Sequence, residues 1–436
     1  MLISYNKTNL REFQEEISIE EVKSQRNTED VCCKYCGKAV HILANVQITL
    51  RDMPDYPESV KKIRYIQHRY MCQCCGKTFT EEIEDKYPGT RVTKRAAEWI
   101  KSLLKQGMTC KSVQRITGIH WGTIRKIHSE IIKTAVTNYE EELKSRNYKP
   151  KYLAVDEFAI HKGHRYATCV MDLETGHVIW VGKGRAKADF EKFFQEIDMS
   201  FLSDVKAMAM DMNASYNLLV QKYLPSVDIV YDRYHMQAQY GKDVLGVVRL
   251  QEARAHKNKA QEHKEAALLE QNPAKKIELK AMAKAEQQLY SKTKQGRWLI
   301  LSNPGKLHES GREVLQEILD KHASLALCYT MKEAMCEAFN EDDPQESEEL
   351  WIKWFAAAKE SKIQPLVRFA ELKEKRLPGL IAHARHCIST GPLEGFNNKI
   401  KVAKRIGYGY RNEEYFFNLV RYMTIPAVRK FAAASN

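Results

Sequence analysis

The chain has 436 residues, 44% of them hydrophobic, and a formal net charge of +13 at pH 7. That length implies two to four domains. No run approaches the 18 apolar residues of a membrane-spanning helix, and the opening Met1–Thr8 lacks a signal-peptide core, so a cytoplasmic protein is expected. The charge is localised, with 13 Lys/Arg against 5 Asp/Glu in residues 91–150 and 8 against 2 in residues 395–436. A single charge run is commonly just a solvated face. Two of them on an otherwise near-neutral chain point to two polyanion-contacting surfaces, each releasing counterions from phosphates.

Six of the eleven cysteines fall between Cys32 and Cys75. Cys33-Lys-Tyr-Cys36-Gly and Cys72-Gln-Cys-Cys75-Gly form two matched Cys-x-x-Cys knuckles, the donor set of one tetrahedral structural Zn²⁺. Disulfides are the alternative and do not suit a cytoplasmic chain. Cys32 and Cys74 offer competing thiolates, and His41 and His68 could substitute. The set 33, 36, 72 and 75 is preferred because both knuckles then share spacing and a trailing glycine. Val40–Leu50 and Lys62–Tyr70 alternate like half-buried strands, completing a zinc ribbon over residues 1–90. Cys110, Cys169, Cys328, Cys336 and Cys387 read as small core residues.

Residues 91–150 carry three helical patterns. Thr93–Lys105 is closed by Gly107, Lys111–Thr117 by the Gly118 turn, and Trp121–Lys133 is basic. This is the pattern of a helix-turn-helix whose third helix enters the major groove. His120, Thr123, Arg125, Lys126 and His128 are placed to contact DNA, with Trp121, Ile124 and Ile127 turned to the core.

From residue 151 the pattern changes to strands. Tyr152–Ile160, His164–Glu174 and His177–Arg185 form an antiparallel meander. A helix over Ala188–Ile197, a strand over Val205–Met212, a helix over Tyr216–Tyr223 and a strand over Asp228–Tyr231 follow. Asp156 lies mid-strand and Asp211 at a strand end. Glu157 alternates to the opposite face, Asp172 suits a turn, and Asp189 opens a helix. Residues 242–387 are helical in composition. Glu252–Glu270 suits either an exposed coiled-coil-like arm or a solvated helix, and Glu341–Glu349 an acidic loop. After this insertion, with 182 residues between it and Asp211, Glu394 opens a helix in Gly391-Pro-Leu-Glu-Gly-Phe-Asn-Asn-Lys-Ile-Lys401. Asp156, Asp211 and Glu394 together make a cage of hard oxygen ligands for Mg²⁺ or Mn²⁺. Two such ions can serve phosphodiester chemistry.

This carboxylate set resembles the DDE triad of RNase H-like transposases. Leu393-Glu-Gly-Phe-Asn-Asn-Lys-Ile-Lys401 followed by Gly407-Tyr-Gly-Tyr-Arg-Asn412 resembles the C-terminal signature of the ISL3 group of insertion-sequence transposases. The resemblance implies an α+β multidomain chain. A zinc ribbon (1–90) and a helix-turn-helix (91–150) would precede an RNase H-like α/β core (151–241 and 388–436) interrupted by an all-helical insertion domain (242–387). It implies a bacterial enzyme that binds terminal inverted repeats and target DNA as a dimer or larger assembly. Two divalent ions on Asp156, Asp211 and Glu394 would support cleavage by water and strand transfer by a 3′-hydroxyl. Basic residues downstream of Glu394, namely Lys399, Lys401, Lys404 and Arg405, would contact DNA. Asp232-Arg-Tyr-His235 resembles the Asp-x-x-His motif of transposases with an inserted domain, which could position DNA or support a metal ligand. It could equally be a helix cap with His235 packed beneath. The rival function is a DNA-binding regulator on a catalytically silent scaffold. A tyrosine or serine recombinase is disfavoured because Tyr408 and Tyr410 lack an arginine-rich setting.

Overall fold

A computed structural model describes residues 17–23, 31–55, 59–161, 163, 165–302, 304–407 and 409–428. Met1–Thr8, His164 and Tyr408 lie outside the described residues. The chain divides into two compact units, Met1–Glu142 with Ala427–Asn436, and Leu143–Pro426.

In the first unit, β1 (Ile17–Lys23), β2 (Val40–Arg51), β3 (Val60–Cys72) and β4 (Thr78–Thr80) make one sheet. β3 pairs parallel with β1 and antiparallel with β2 and β4. Val40 faces Cys72 in the β2–β3 register, so the knuckle before β2 and the knuckle after β3 meet at one end of the hairpin. The long insert between the knuckles is therefore two long strands that leave and return. Next come α1 (Lys94–Lys105), α2 (Cys110–Thr117) and α3 (Trp121–Ser145). Thr93 and Thr109 cap the first two through their side-chain oxygens, and Gly118, at φ 63°, supplies the left-handed turn that ends α2. Ile100, Val113, Ile119, Ile124 and Ile127 are buried together. α3 runs twelve residues beyond the expected Lys133, because nothing in Thr134–Ser145 breaks a helix.

The second unit is built on a sheet in the order β7-β6-β5-β8-β9. It comprises β5 (Tyr152–His161), β6 (Arg165–Asp172), β7 (Val178–Lys183), β8 (Ala207–Met210) and β9 (Asp228–Tyr231). β5–β7 form the antiparallel meander, whereas β8 and β9 run parallel to β5. Leu153, Val155, Met208 and Met210 pack on the face covered by α4 (Lys187–Glu196) and α5 (Ala214–Tyr223), where Phe190, Phe193 and Leu219 meet them. Ala154, Phe158 and Ala209 point the other way. They pack against Leu393, Phe396 and Ile400 of α15 (Gly391–Ile406) and Phe416 of α16 (Glu413–Tyr422). Strand alternation therefore directs Asp156 to the α15 face and Glu157 away from it. Asp172 is buried at a turn, accepting from Tyr148 Oη at 2.8 Å and Thr175 Oγ1 at 2.5 Å. Asp189 accepts the Ala186 N–H at the start of α4.

Between β9 and α15 the chain is helical. α6 (Arg233–Tyr240) runs through a π-helical turn (Gly241–Leu245) into α7 (Gly246–Leu269). α8 (Pro273–Gln295), α9 (Arg297–Leu301), α10 (Glu309–Lys321), α11 (Ala323–Ala338), α12 (Pro344–Glu360), α13 (Gln364–Glu374) and α14 (Leu377–His386) follow. Tyr240, Met335, Trp351, Trp354, Phe355 and Phe369 form a core of their own. α7 and α8 pair as a helical hairpin, with Arg249 donating to the Thr293 carbonyl and His256 paired with Glu286. The expected acidic loop proves to be mostly helix. Asp343 caps α12, and Pro344 at its first position is preset for the helical φ, so the following glutamates lie on the helix. Cys387 is exposed at φ 46°, as the C-cap of α14, rather than in a core.

α14 lies on β9 although it falls inside the helical stretch. Ala382 packs with Ala207 and Val230, and a Cβ on Gly379 would fall 2.3 Å from the Tyr231 ring and 3.0 Å from the Ile229 carbonyl oxygen. Gly379→Ala should therefore push α14 off the sheet and destabilise the protein by about 1–3 kcal/mol. A lowered thermal midpoint checks this. An unchanged midpoint would mean that the close approach is not needed.

Candidate functional site

The four knuckle sulfurs form one cluster. Cys33, Cys36, Cys72 and Cys75 place their Sγ atoms within 4.8 Å of one another, with Cys33–Cys75 at 3.7 Å and Cys36–Cys72 at 3.4 Å. Those spacings are far too long for disulfides. They approach the edge of about 3.8 Å of a tetrahedron with Zn–S bonds of about 2.3 Å. Gly37 and Gly76, at φ 71° and 67°, let each chain turn back so that amides face sulfur. The N–H groups of Cys75 and Cys74 donate to Cys72 Sγ and pull its thiol down to about 6. At Cys36 the Lys38 amide is the largest single influence and lowers the pKa, but the sulfur of Cys72, burial and the sulfurs of Cys33 and Cys75 together drive it up to about 12. Four thiolates at these distances repel one another, and the donor set fits a cation that would neutralise them. Cys32 and Cys74 are exposed outside it, and His68 is engaged by Asn45 at 2.8 Å.

On the α15 face of the second unit, a second group gathers from residues far apart in sequence. Asp156 comes from the middle of β5, Asp211 follows β8, His235 lies in the first turn of α6, and Glu394 lies in the first turn of α15. His235 Nε2 is 3.1 Å from Glu394 Oε1, and its Nδ1 is 3.8 Å from Asp211 Oδ2. Asp156 Oδ2 accepts from Asn397 Nδ2 at 2.7 Å, and Oδ1 from the Glu157 N–H at 2.7 Å. Burial raises the Asp156 carboxyl to about 6. The Glu157 amide and His235 oppose the shift, and the nearby Glu394 adds to it. The helix N-terminus favours the Glu394 carboxylate.

Asp232 combines the two roles considered for it. It is 3% exposed and caps α6 by accepting the His235 N–H at 3.1 Å. Its other oxygen accepts the Thr390 N–H at 3.0 Å and the Thr390 hydroxyl at 2.7 Å. Asp232, His235 and Glu394 present ligand atoms within 4.8 Å of one another. With three hydrogen bonds already accepted, Asp232 is the least able of them to coordinate an ion, and it fixes where α6 and α15 begin. His235 is not packed beneath the cap: its ring faces the carboxylates. Beside that group stand Asp211, 3.8 Å from the imidazole, and Asp156, whose oxygens each keep a lone pair beyond the one hydrogen bond they accept. Carboxylate oxygens with one imidazole are a mainly hard set of the kind that suits Mg²⁺ or Mn²⁺. Glu157 lies on the opposite face, 3.9 Å from Arg185.

The expected DNA-contacting residues divide. Lys399, Lys401 and Arg405 are exposed on α15, while Lys404 is half-buried and donates to the Ala159 carbonyl at 2.5 Å. On α3, Lys126 is exposed and reaches the Gly89 carbonyl at 3.1 Å, and Thr123 is half-buried. His120 is exposed just before the helix, its Nδ1 accepting the Gly122 N–H. Trp121 is 42% exposed, contrary to expectation, with the Arg125 guanidinium 5.4 Å from its ring centre. As the first residue of the helix, its Cβ tilts beyond the bundle's end. His128 is half-buried with Nδ1 3.6 Å from Cys110 Sγ, and burial, then Arg125, lowers it to about 4. A neutral imidazole there is a packing residue and a poor phosphate contact. Asn397 and Thr390 were not assigned from the sequence. Asn397 follows Glu394 by one helical turn, so the shared face was a usable signal, whereas the partner of Thr390 is 158 residues away.

A family model described as a transposase, of the ISL3 type of DDE enzyme, matches residues 153–420. The transposase for insertion sequence element IS1001 of Bordetella parapertussis is 31% identical over 396 residues, spanning 89% of this chain and 87% of the relative. The transposase for insertion sequence element IS1557, in two strains of Mycobacterium tuberculosis, is 24% identical over 265 residues, spanning 60% of this chain and 57% of the relative. Among the described residues, no helix is long and apolar enough to cross a membrane.

The thiolate cluster generates a direct test. Elemental analysis should find about one zinc per chain, and Cys36→Ser should lose it together with the ordered ribbon, because in small modules of this kind metal binding supplies folding free energy. A metal-free preparation with an unchanged ribbon would contradict this.

Proposed function

The chain belongs to the ISL3 family of DDE transposases, and on that premise we propose that it binds the terminal inverted repeats of its own element and cuts and rejoins DNA there. The observation that supports this most is the gathering of Asp156, Asp211 and Glu394 around His235 on one face of the sheet. Asp156, Asp211 and Glu394 would hold two Mg²⁺ or Mn²⁺ ions, which when bound activate an attacking oxygen and stabilise the leaving one. Asn397 and the Glu157 amide keep Asp156 in place, and His235 orients Glu394. The nucleophile is water for cleavage and a 3′-hydroxyl for strand transfer, so no protein–DNA bond forms.

In this reading residues 1–90 are a zinc-binding domain and residues 91–150 recognise the repeat through α3. Residues 151–241 and 388–436 make the catalytic core, interrupted by the helical insertion of 242–387, and two or more copies act together on paired ends. Lys399, Lys401 and Arg405, exposed on the helix that carries Glu394, are placed along the DNA path.

Asp156→Asn, Asp211→Asn and Glu394→Gln should each cut single-turnover cleavage of an end-bearing duplex by more than about 100-fold, beyond what loss of a supporting ligand partner costs. End binding should be nearly unchanged, and the three losses should not add, because the groups act as one unit. Glu157→Gln is the control that retains activity. Wild-type binding without metal-dependent cleavage would make the chain a regulator on this scaffold.

Recognition has its own test. Arg125→Ala or Lys126→Ala should weaken binding to the repeat. A base contact would cost about 1–3 kcal/mol of discrimination against random duplex, whereas a phosphate contact would weaken both duplexes alike. Equal wild-type affinity for the two duplexes would remove the role given to α3.

A further inference from the structure

Next to Asp211 and His235 the second unit opens into a cavity of about 960 Å³. Its walls come from the end of β9, α5, α6 and the junction of α13 and α14. At that junction sit two cations whose nearest partners are neutral. Lys373 is 5% exposed, and its Nζ donates to Gln239 Oε1 at 2.5 Å and lies 3.1 Å from Met212 Sδ. Arg376 Nη1 donates to the Tyr231 hydroxyl at 3.4 Å and lies 2.9 Å from the Asn217 side-chain amide, whose oxygen accepts from it when the amide is turned to satisfy both groups. Among the described residues, neither forms an ion pair within 4.0 Å. Asp211 and Asp243 are the carboxylates near enough to favour charge on Lys373, yet burial and Arg376 outweigh them and hold it down at about 8.

Keeping an ammonium out of water beside a guanidinium, with only amide, phenol and thioether partners, is costly unless an anion arrives from outside. The last carbonyls of α13 offset only part of that cost. The cavity shares Asp211 and His235 with the carboxylate site, so the anion it receives must adjoin the reacting group. It is nucleotide-sized rather than phosphate-sized, and Gln221 and Leu218 on α5 add amide and apolar surface to its lining.

We propose that this cavity holds the nucleotide next to the cleaved bond of the DNA strand, with its phosphodiester on Lys373 and Arg376. The inference rests on the transposase reading and extends it, by giving the helical insertion a share in substrate binding. Lys373 and Arg376 are positioning residues for the strand, since they stand beside the carboxylates and not among them.

The test uses the full chain and duplexes carrying the element's end, in which one phosphate at a time around the cleaved bond is replaced by a neutral methylphosphonate. Wild-type protein should lose about tenfold or more in single-turnover cleavage at one flanking position, the size expected for one lost charge-assisted contact. Arg376→Gln should lose a similar factor on unmodified DNA and nothing further when that same phosphate is neutralised, the non-additivity of a shared contact. Lys373→Met should behave alike. If its thermal midpoint shows misfolding, the partly exposed Arg376 carries the test alone, with Arg376→Lys expected to recover part of the rate. Losses that multiply fully, or variants that cleave as wild type does, overturn the inference while leaving the transposase reading intact. Absence of cleavage by the wild-type chain removes that reading, and this inference with it.

Discussion

The carboxylate site depends on one buried side chain. Asp232 accepts the His235 amide in the first turn of α6 with one oxygen and both hydrogen-bond donors of Thr390 with the other. Those bonds fix the origins of two helices whose first turns carry His235 and Glu394. Helix ends leave several amides without partners, and a single carboxyl group with two oxygens can satisfy amides at the starts of two helices at once. Buried at 3% exposure, it has no solvent to fall back on. The bonds are therefore all made together or lost together. His235 and Glu394 meet, at 3.1 Å, because this fastening sets where α6 and α15 start.

Both metal-fitting groups share an electrostatic character. Four sulfurs are gathered although the Cys36 thiol is driven upward by its neighbours, and three carboxylates are gathered although burial lifts Asp156 to about 6. A protein selected only for stability would separate such groups. They are held by short-range devices that do not rely on their charge. These are the glycine turns and the Val40–Cys72 register in the ribbon, and the strand alternation with the Asp232 fastening in the core. Beyond the acidic site, the same helix that carries Glu394 exposes Lys399, Lys401 and Arg405, which suits a polyanionic substrate that must be drawn in without neutralising the acids.

What was legible in the sequence follows from how local each feature is. The strands of the second unit were readable because alternation and glycine turns are encoded within a few residues, and the knuckles because ligand spacing is itself local. Glu394 was found through its surrounding motif, and Asp156 through the apolar strand around it. The misreadings share another cause. Trp121 and His128 have the spacing expected of them, but the end of the helix and the side chain of Cys110 decide their exposure. Lys404 reads as a surface cation until β5 supplies a carbonyl for it. The acidic stretch that opens α12 looks like a loop because its cap, Asp343, resembles its neighbours in composition. Thr390, Lys373 and Arg376 could not be found at all, since their partners lie 134 to 161 residues away.

The geometry of the insertion explains how so long an interruption can be tolerated. The chain leaves the sheet at Asp232, directly after β9, and returns through α14, which packs on that same strand, with Gly379 against Tyr231. Exit and return are therefore neighbours, and the entropy of closing a loop between them grows only logarithmically with length. The intervening residues add their own core around Trp351 and Trp354, so they need not draw stability from the sheet. Tyr231 is the point where these elements meet. Its ring receives α14, its hydroxyl takes a hydrogen bond from Arg376, and the next residue is Asp232. A shift of the helical insertion would thus be felt first at the end of β9, one residue from the fastening that positions Glu394. That adjacency gives the insertion a physical route to the carboxylates of the candidate site without touching any of them.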